Sequence, residues 1–429
     1  MKLKNSHILL IVYYLFLFVL ETPLILNVGI PSAIVRVGYI LSVVIPILAF
    51  DKTYLPIVII ASYSLSKFGT AVTLMPTDVW YYVPVFILLA LPFKGIKDSD
   101  RKTLIPIIVL CLGVLWVDLI SSQKVHDIFW CFLILITLFY YSFRKINNET
   151  YFLIFTHSFI VISIVLSLEL LLAGDQYIEG YGYTDLDRVL WADPNYLGGV
   201  IGMGGMAAAL LLFRNNTSSF KIYLTIALLI VITALVRNAS RGALLAVICG
   251  VSILFMGGKL KFWKKLIILT VAAGFVYILY TSNYFELLEY RLENDTGGGS
   301  GRTGIWLNKW NAYINNSSIL QMLFGMGFDN GYKAGFSYNR AFHNDFLAFL
   351  VDYGAVGFIA FVCMFFYPLK GVLFKNRDIL GCVVFLFVNC MTLEPFTLGV
   401  LLYYVFWFYT CYQAMSYRNS HSSSGSIVI

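Results

Sequence analysis

Residues 151–173 read YFLIFTHSFIVISIVLSLELLLA, a run in which only His157 and Glu169 can carry a charge near neutral pH. A helix of about 20 apolar residues spans the hydrocarbon of a bilayer, so this segment reads as a membrane span. It is not alone. Comparable runs fall at 8–27, 36–50, 55–71, 79–93, 103–120, 127–143, 194–213, 222–236, 242–256, 266–281, 345–367, 379–392 and 396–414. Fourteen spans are therefore expected, or twelve if the shortest do not cross. Composition agrees: the 429 residues are 59% hydrophobic and 12% charged, against about 25% charged in a soluble chain. Disorder requires low hydrophobicity and is excluded on the same ground. The expected fold is all-α, a polytopic integral membrane protein without large soluble domains. The run from Ile8 to Leu20 has no small-residue cleavage site and reads as a retained first helix.

Lysine and arginine set the orientation, because cytoplasmic loops carry the excess of both. With the N-terminus inside, 19 of the 30 Lys and Arg residues fall on the cytoplasmic side. Of the other 11, five lie in one long loop that the rule weights little, which leaves 19 against 6. Both termini are then cytoplasmic, and the net charge of +7 is topology that calls for no nucleic acid. The seven cysteines all lie within apolar runs without a CxxC pair, so they read as packing residues and not as a zinc site or disulfide framework.

The same register puts two loops outside, at 174–193 and 282–342. The second is 61 residues long, and loops of that length are functional or disordered. Its segment TGIWLNKWNAYI, apolar at Ile305, Trp306, Trp310 and Ile314, reads as amphipathic helix on or near the membrane. Gly297, Gly298, Gly299 and Gly301 before it read as a joint; with no preceding strand and no following GK[ST] they make a poor phosphate loop.

Several outer-side residues do not fit a topological role. Arg241 opens SRGALLAVICG, with Arg237 one turn earlier, at the outer end of a span. A cation there is costly unless it faces a polar cavity or snorkels to headgroups. Arg188 lies in DLDRVLWADPNYLG, where it could pair with Asp185 or Asp187, while Asp193 and Pro194 suit an N-cap and first turn. His343 stands where the long loop re-enters the membrane, a place for a proton acceptor as well as for a structural histidine. His157, inside a span, reads as packing. Asp118, Glu169, Asp352 and Glu394 are acids in or beside spans, which either pair with a base or mark a pathway. Arginines beside one histidine, without an acidic metal cluster, suit an anionic lipid-linked group and proton removal from a hydroxyl. Arginine offers bidentate donors to phosphate oxygens and can stabilise a diphosphate leaving group. Tyr181, Tyr183, Trp191, Trp306 and Trp310 could stack on sugars or form an interfacial belt.

Four blocks in order, RVLWADPNYLG at 188–198, NASRGALLAV at 238–247, SGRTGIWLNKW with FGMGFDNGY within 300–332, and HNDFLAFLVDYGAVG at 343–357, resemble the O-antigen ligase and polymerase superfamily of bacterial membrane glycosyltransferases. The resemblance covers about residues 180–360. It implies a metal-independent, cofactor-free enzyme of the bacterial inner membrane, open to the periplasm, whose donor is a polyprenyl-diphosphate-linked oligosaccharide. The acceptor would be a glycan or lipid-linked glycan, with membrane lipids and a chain-length regulator as further partners. It also implies roles: Arg241 and Arg188 for the donor diphosphate, Arg302 for acceptor or diphosphate, and His343 to activate the acceptor hydroxyl. Arg340 has no match in the family pattern.

On this reading residues 1–173 are N-terminal spans, 174–367 the catalytic membrane region and 368–429 C-terminal spans with a cytoplasmic tail. The short loops and high hydrophobicity resemble the more divergent polymerase members of that superfamily, which implies a polymerase of repeat units over a ligase that moves the finished glycan to lipid A core or a protein. A flippase of lipid-linked sugars is the alternative from another class. It would be expected to show internal repeats, whereas the long loop and the RG and HN blocks occur once.

Overall fold

The computed structural model describes residues 5–25, 31–49, 98–121, 124–142, 149–172, 194–214, 218–257, 261–293, 301–337 and 341–422. Every regular element among them is helical. The expected spans at 55–71 and 79–93, the loop at 174–193, and with it Arg188, lie outside these residues, as do Arg340 and Gly297 to Gly299. Each other expected span falls on a helix. Among the described residues, five helical stretches are long and apolar enough to cross a bilayer: Leu104–Ser121, Phe152–Leu172, Pro194–Phe213, Phe262–Thr281 and Asp345–Leu369. The protein is a polytopic, all-α membrane protein.

The chain divides into two compact units, Met1–Pro92 with Asn148–Arg291, and Phe93–Asn147 with Leu292–Ile429. The first holds α1 (Asn5–Ile25), α2 (Ser32–Ala49), α5 (Glu149–Leu172), α6 (Pro194–Phe213), α7 (Ser218–Arg237), α8 (Arg241–Gly257), α9 (Phe262–Thr281) and most of α10 (Glu286–Glu293). Helix α6 is its centre, packed against α5, α7 and α8 and buried along almost its whole length. Its sequence PNYLGGVIGMGGMAAA explains this, because small residues let helix backbones approach closely where lipid supplies no hydrophobic drive. Helix α9 is the opposite case: apolar all round and exposed nearly everywhere, it is a lipid-facing span.

The second unit holds α3 (Asp98–Ser121), α4 (Asp127–Ser142), α11 (Arg302–Asn316), α12 (Ile319–Phe324), α13 (Phe328–Lys333), α14 (Asp345–Phe366), α15 (Arg377–Thr392) and α16 (Leu401–Ser422). Helix α14 packs against α3 and α12, and α16 against α4 and α15. Two interruptions shape this unit. Pro395 and the turns after it separate α15 from α16, and Gly354 breaks α14 with φ 69° and ψ −173°. The 282–342 segment carries several short helices, α10 to α13, and not only the amphipathic one read from TGIWLNKWNAYI.

Candidate functional site

His343 sits in the left-handed region at φ 52°, a conformation that costs a non-glycine residue on the order of 1 kcal/mol or more. Such strain persists only where neighbours over-determine it, and here they can be named. Just before it, the Phe342 amide donates to Glu394 Oε2 at 3.0 Å, and the Phe342 carbonyl accepts from Trp306 Nε1 at 2.7 Å. Just after it, Asn344 caps α14 by accepting from the Leu347 amide at 3.1 Å. Asp345 follows, fully buried, with Oδ1 accepting from the Thr397 amide at 2.8 Å and hydroxyl at 2.9 Å, and Oδ2 from the Phe396 amide at 3.2 Å. Two acids thus clasp the loop–helix junction to the 393–400 turn, one reaching each way. The half-buried histidine is held at the helix entrance between them.

Glu394 is buried at 0% exposure, and burial pushes its carboxyl up to about 8, against the pull of the Phe342 amide. It lies between α15 and α16. Arg302 is the first residue of α11 and half-buried. One turn on, Trp306 makes the bond to Phe342, so the helix bearing Arg302 is tied to the residue preceding His343.

The segment between α11 and α14 packs against α14. After α12 the chain turns into the break in α14: the Met326 amide donates to the Val351 carbonyl at 3.0 Å and the Gly327 amide to the Asp352 carbonyl at 2.8 Å. These are acceptors that the non-helical Gly354 leaves without intrahelical donors. Glycine is required at both contact points. A Cβ on Gly354 would meet Leu323 and the Gly325 nitrogen, and one on Gly325, at φ 95°, would meet the Asp352 carbonyl. The contact lies seven to nine residues into α14, or ~10–14 Å along it. FGMGFDNG is therefore re-entrant in the sense that it turns back into the break of α14, with Gly327 and Gly331 buried there while Phe324 and Asn330 stay exposed.

Around it stand further groups of the same unit. The ring of His126, whose imidazole burial holds below its usual value, stacks on Phe328 at 3.7 Å. The Tyr353 hydroxyl reaches Asp118 at 3.5 Å. Lys309 of α11 is fully buried; its ammonium donates to the carbonyls of Gly331 at 3.0 Å and Tyr332 at 2.9 Å, and lies 4.0 Å from the centre of the Phe342 ring. The face of α11 that packs inward is Ile305, Lys309, Ala312 and Tyr313, while Trp310 and Ile314 are exposed. The apolar stripe read from the sequence caught Ile305 and Trp306, but its other two residues, Trp310 and Ile314, face outward, because a lysine interrupts the inner face.

In the first unit, Arg237 ends α7 and Arg241 begins α8, both half-buried. The turn between them is fully buried at Asn238, Ala239 and Ser240, with Ala239 at φ 51°. Asn238 Nδ2 donates to the Pro194 carbonyl at 2.5 Å and the Ser240 hydroxyl lies 3.4 Å from Asn195 Oδ1, so the turn is fastened to the start of α6. A Cβ on Gly198 would sit 2.7 Å from Asn238 Nδ2 and 2.8 Å from Ser240 Cβ. The N-termini of α6 and α8, both carrying partial positive charge, are brought together beside Arg241. The Arg237 guanidinium lies 5.5 Å over the Tyr284 ring.

Of the residues expected to act, Arg302 and His343 belong to the second unit and Arg241 to the first. Lys309 and Asp345 carry no signal as candidates in the sequence; Glu394 stands there as one of the acids that either pair with a base or mark a pathway. Residues 226–362, which include Arg241, Arg302 and His343, match the family model described as O-Antigen ligase. The resemblance to the O-antigen ligase and polymerase superfamily therefore stands, and the chain is similar over that region to membrane glycosyltransferases of that type. No curated protein matches the chain.

Proposed function

We propose that this protein is a glycosyltransferase of the bacterial inner membrane that polymerises polyprenyl-diphosphate-linked oligosaccharide repeat units of a surface polysaccharide, on the periplasmic face. In the reaction, the acceptor hydroxyl oxygen attacks the anomeric carbon of the donor glycan. The bond from that carbon to the diphosphate oxygen breaks, and the diphosphate leaves on its polyprenyl carrier. His343 takes the hydroxyl proton as general base. Arg241 binds the donor diphosphate, assisted by the two helix N-termini beside it, which favour anions; Arg188 shares that role, and Arg302 holds acceptor or diphosphate.

The observation that carries this reading is the clasp on His343: a non-glycine residue at positive φ, fixed on both sides by buried carboxylates, is a pre-organised group. The enzyme class rests on the family match, which contains three of the four residues given roles. The test is His343→Ala and Arg241→Ala in a host making the polysaccharide. Both are expected to abolish long chains while the protein still accumulates; unchanged chain-length ladders overturn the mechanism.

The ligase reading keeps the chemistry and changes the acceptor, and the description of the matched family favours it. A deletion strain separates the two. A single repeat on the lipid core supports the polymerase, whereas an uncapped core with long chains held on the carrier supports the ligase.

A further inference from the structure

Asp352 is fully buried, and neither of its carboxylate oxygens accepts a hydrogen bond. It stands against Gly331, where a Cβ would run into Asp352 Oδ1, so the re-entrant segment passes directly over this carboxylate. The carbonyl of the same Gly331 accepts from the Lys309 ammonium at 3.0 Å, and Asp352 lies in the field of that charge. A buried ammonium and a buried carboxylate therefore both approach one glycine, the ammonium borne by α11 and the carboxylate by the span α14. The mechanism above uses neither. Other acids face the carboxylate too: Glu394, Asp118 and Asp329 all repel it, and Lys309 is the cation that offsets them.

We propose that Lys309 and Asp352 form a latch that locks the re-entrant segment into the break of α14 and positions His343 through Phe342. The link to His343 is short. Lys309 is packed on the Phe342 ring, and Phe342 is the residue whose amide and carbonyl hold the histidine backbone. Without the cation, Asp352 is a buried acid facing other acids; without the carboxylate, the buried ammonium loses that opposing group. Removing one member of such a pair is far more damaging than removing both, because the survivor stays desolvated and uncompensated. Lys309 and Asp352 are thus positioning residues, and only their bearing on His343 depends on the function proposed above.

The test uses the full-length protein in detergent with Lys309→Met, Asp352→Asn, the double variant and Lys309→Arg. Each also carries Met326→Cys as a reporter of the segment, read as labelling by a membrane-impermeant maleimide above the level of the native cysteines. Each single neutralisation is expected to speed labelling at least tenfold and to lower kcat for chain extension at least tenfold, with KM for donor within threefold. The double variant is expected to recover at least threefold in both, incompletely because two carbonyls still lack their donor, and Lys309→Arg to label like the parent. A double variant as open as the worse single, or singles that label like the parent, overturns the latch. If a single variant fails to accumulate, recovery of accumulation in the double supports the latch and its absence overturns it. Labelling needs no turnover, so a parent without transferase activity would refute the proposed function while leaving the latch decided.

Discussion

Gly354→Ala puts the packing of the re-entrant segment to its sharpest test. At φ 69° and ψ −173° the position lies in a region essentially closed to residues with a Cβ, and occupying it costs on the order of 1–3 kcal/mol. The added methyl would also stand 2.5 Å from the Gly325 nitrogen and press on the Leu323 carbonyl, both backbone atoms that no rotamer change can move aside. Relief requires the segment to back away, which breaks the bonds from Met326 to Val351 and from Gly327 to Asp352. A buried group left without its partner costs about 1–3 kcal/mol, and here two are lost. The total is at least about 3 kcal/mol, equivalent to roughly 6–12 °C in Tm for a cooperative unit of this size. The assay is thermal unfolding in detergent with ligand-free protein, paired with Gly113→Ala, a span glycine of α3 with open space around it. A Gly354→Ala protein that melts within 2 °C of the Gly113→Ala control would refute the argument (a threshold of about a third of the smallest expected shift).

Burial of Glu394 gives a pH signature. Its carboxyl titrates near 8 in the fold against about 4.5 when unfolded, so the folded state holds the proton more tightly; that stability is present below about 4.5 and lost as pH rises through about 8. Glu394→Gln is expected to flatten the dependence of Tm on pH between 5 and 9 while the Gln carbonyl still accepts from Phe342; parallel curves for both proteins contradict it. In the other unit, Gly198→Leu is expected to pry the 238–240 turn from α6 and reduce chain formation at least tenfold with Arg241 intact, since Asn238 and Ser240 already crowd that position. Wild-type chain lengths in this variant would show that the turn does not depend on α6.

Much of the membrane architecture is legible in the amino-acid sequence. Runs such as 151–173 have no stable place but the bilayer, and each closes its backbone hydrogen bonds within itself, so length and hydropathy alone locate the helices. The candidate blocks are legible as well, since SRG and HND each fall at a helix start where a charged residue is costly. Lys309 is not. In the sequence it is one more cation of a long outer loop, and nothing in TGIWLNKWNAYI says that its ammonium turns inward between Ile305 and Ala312. Gly325 and Gly354 are visible as glycines, yet their pairing across 29 positions of chain is not, because a close approach is a property of two segments at once.

The sequence by itself determined that this chain is a bundle of membrane helices and which of its residues resemble those of the O-antigen ligase and polymerase superfamily, because hydropathy and motif order are local properties summed along the chain. Only the tertiary structure decided that Glu394 and Asp345 clasp His343 and that FGMGFDNG descends into the break of α14. Those contacts join residues about 50 and about 25 positions apart, and burial alone turns an ordinary acid or lysine into a charge that must find its partner.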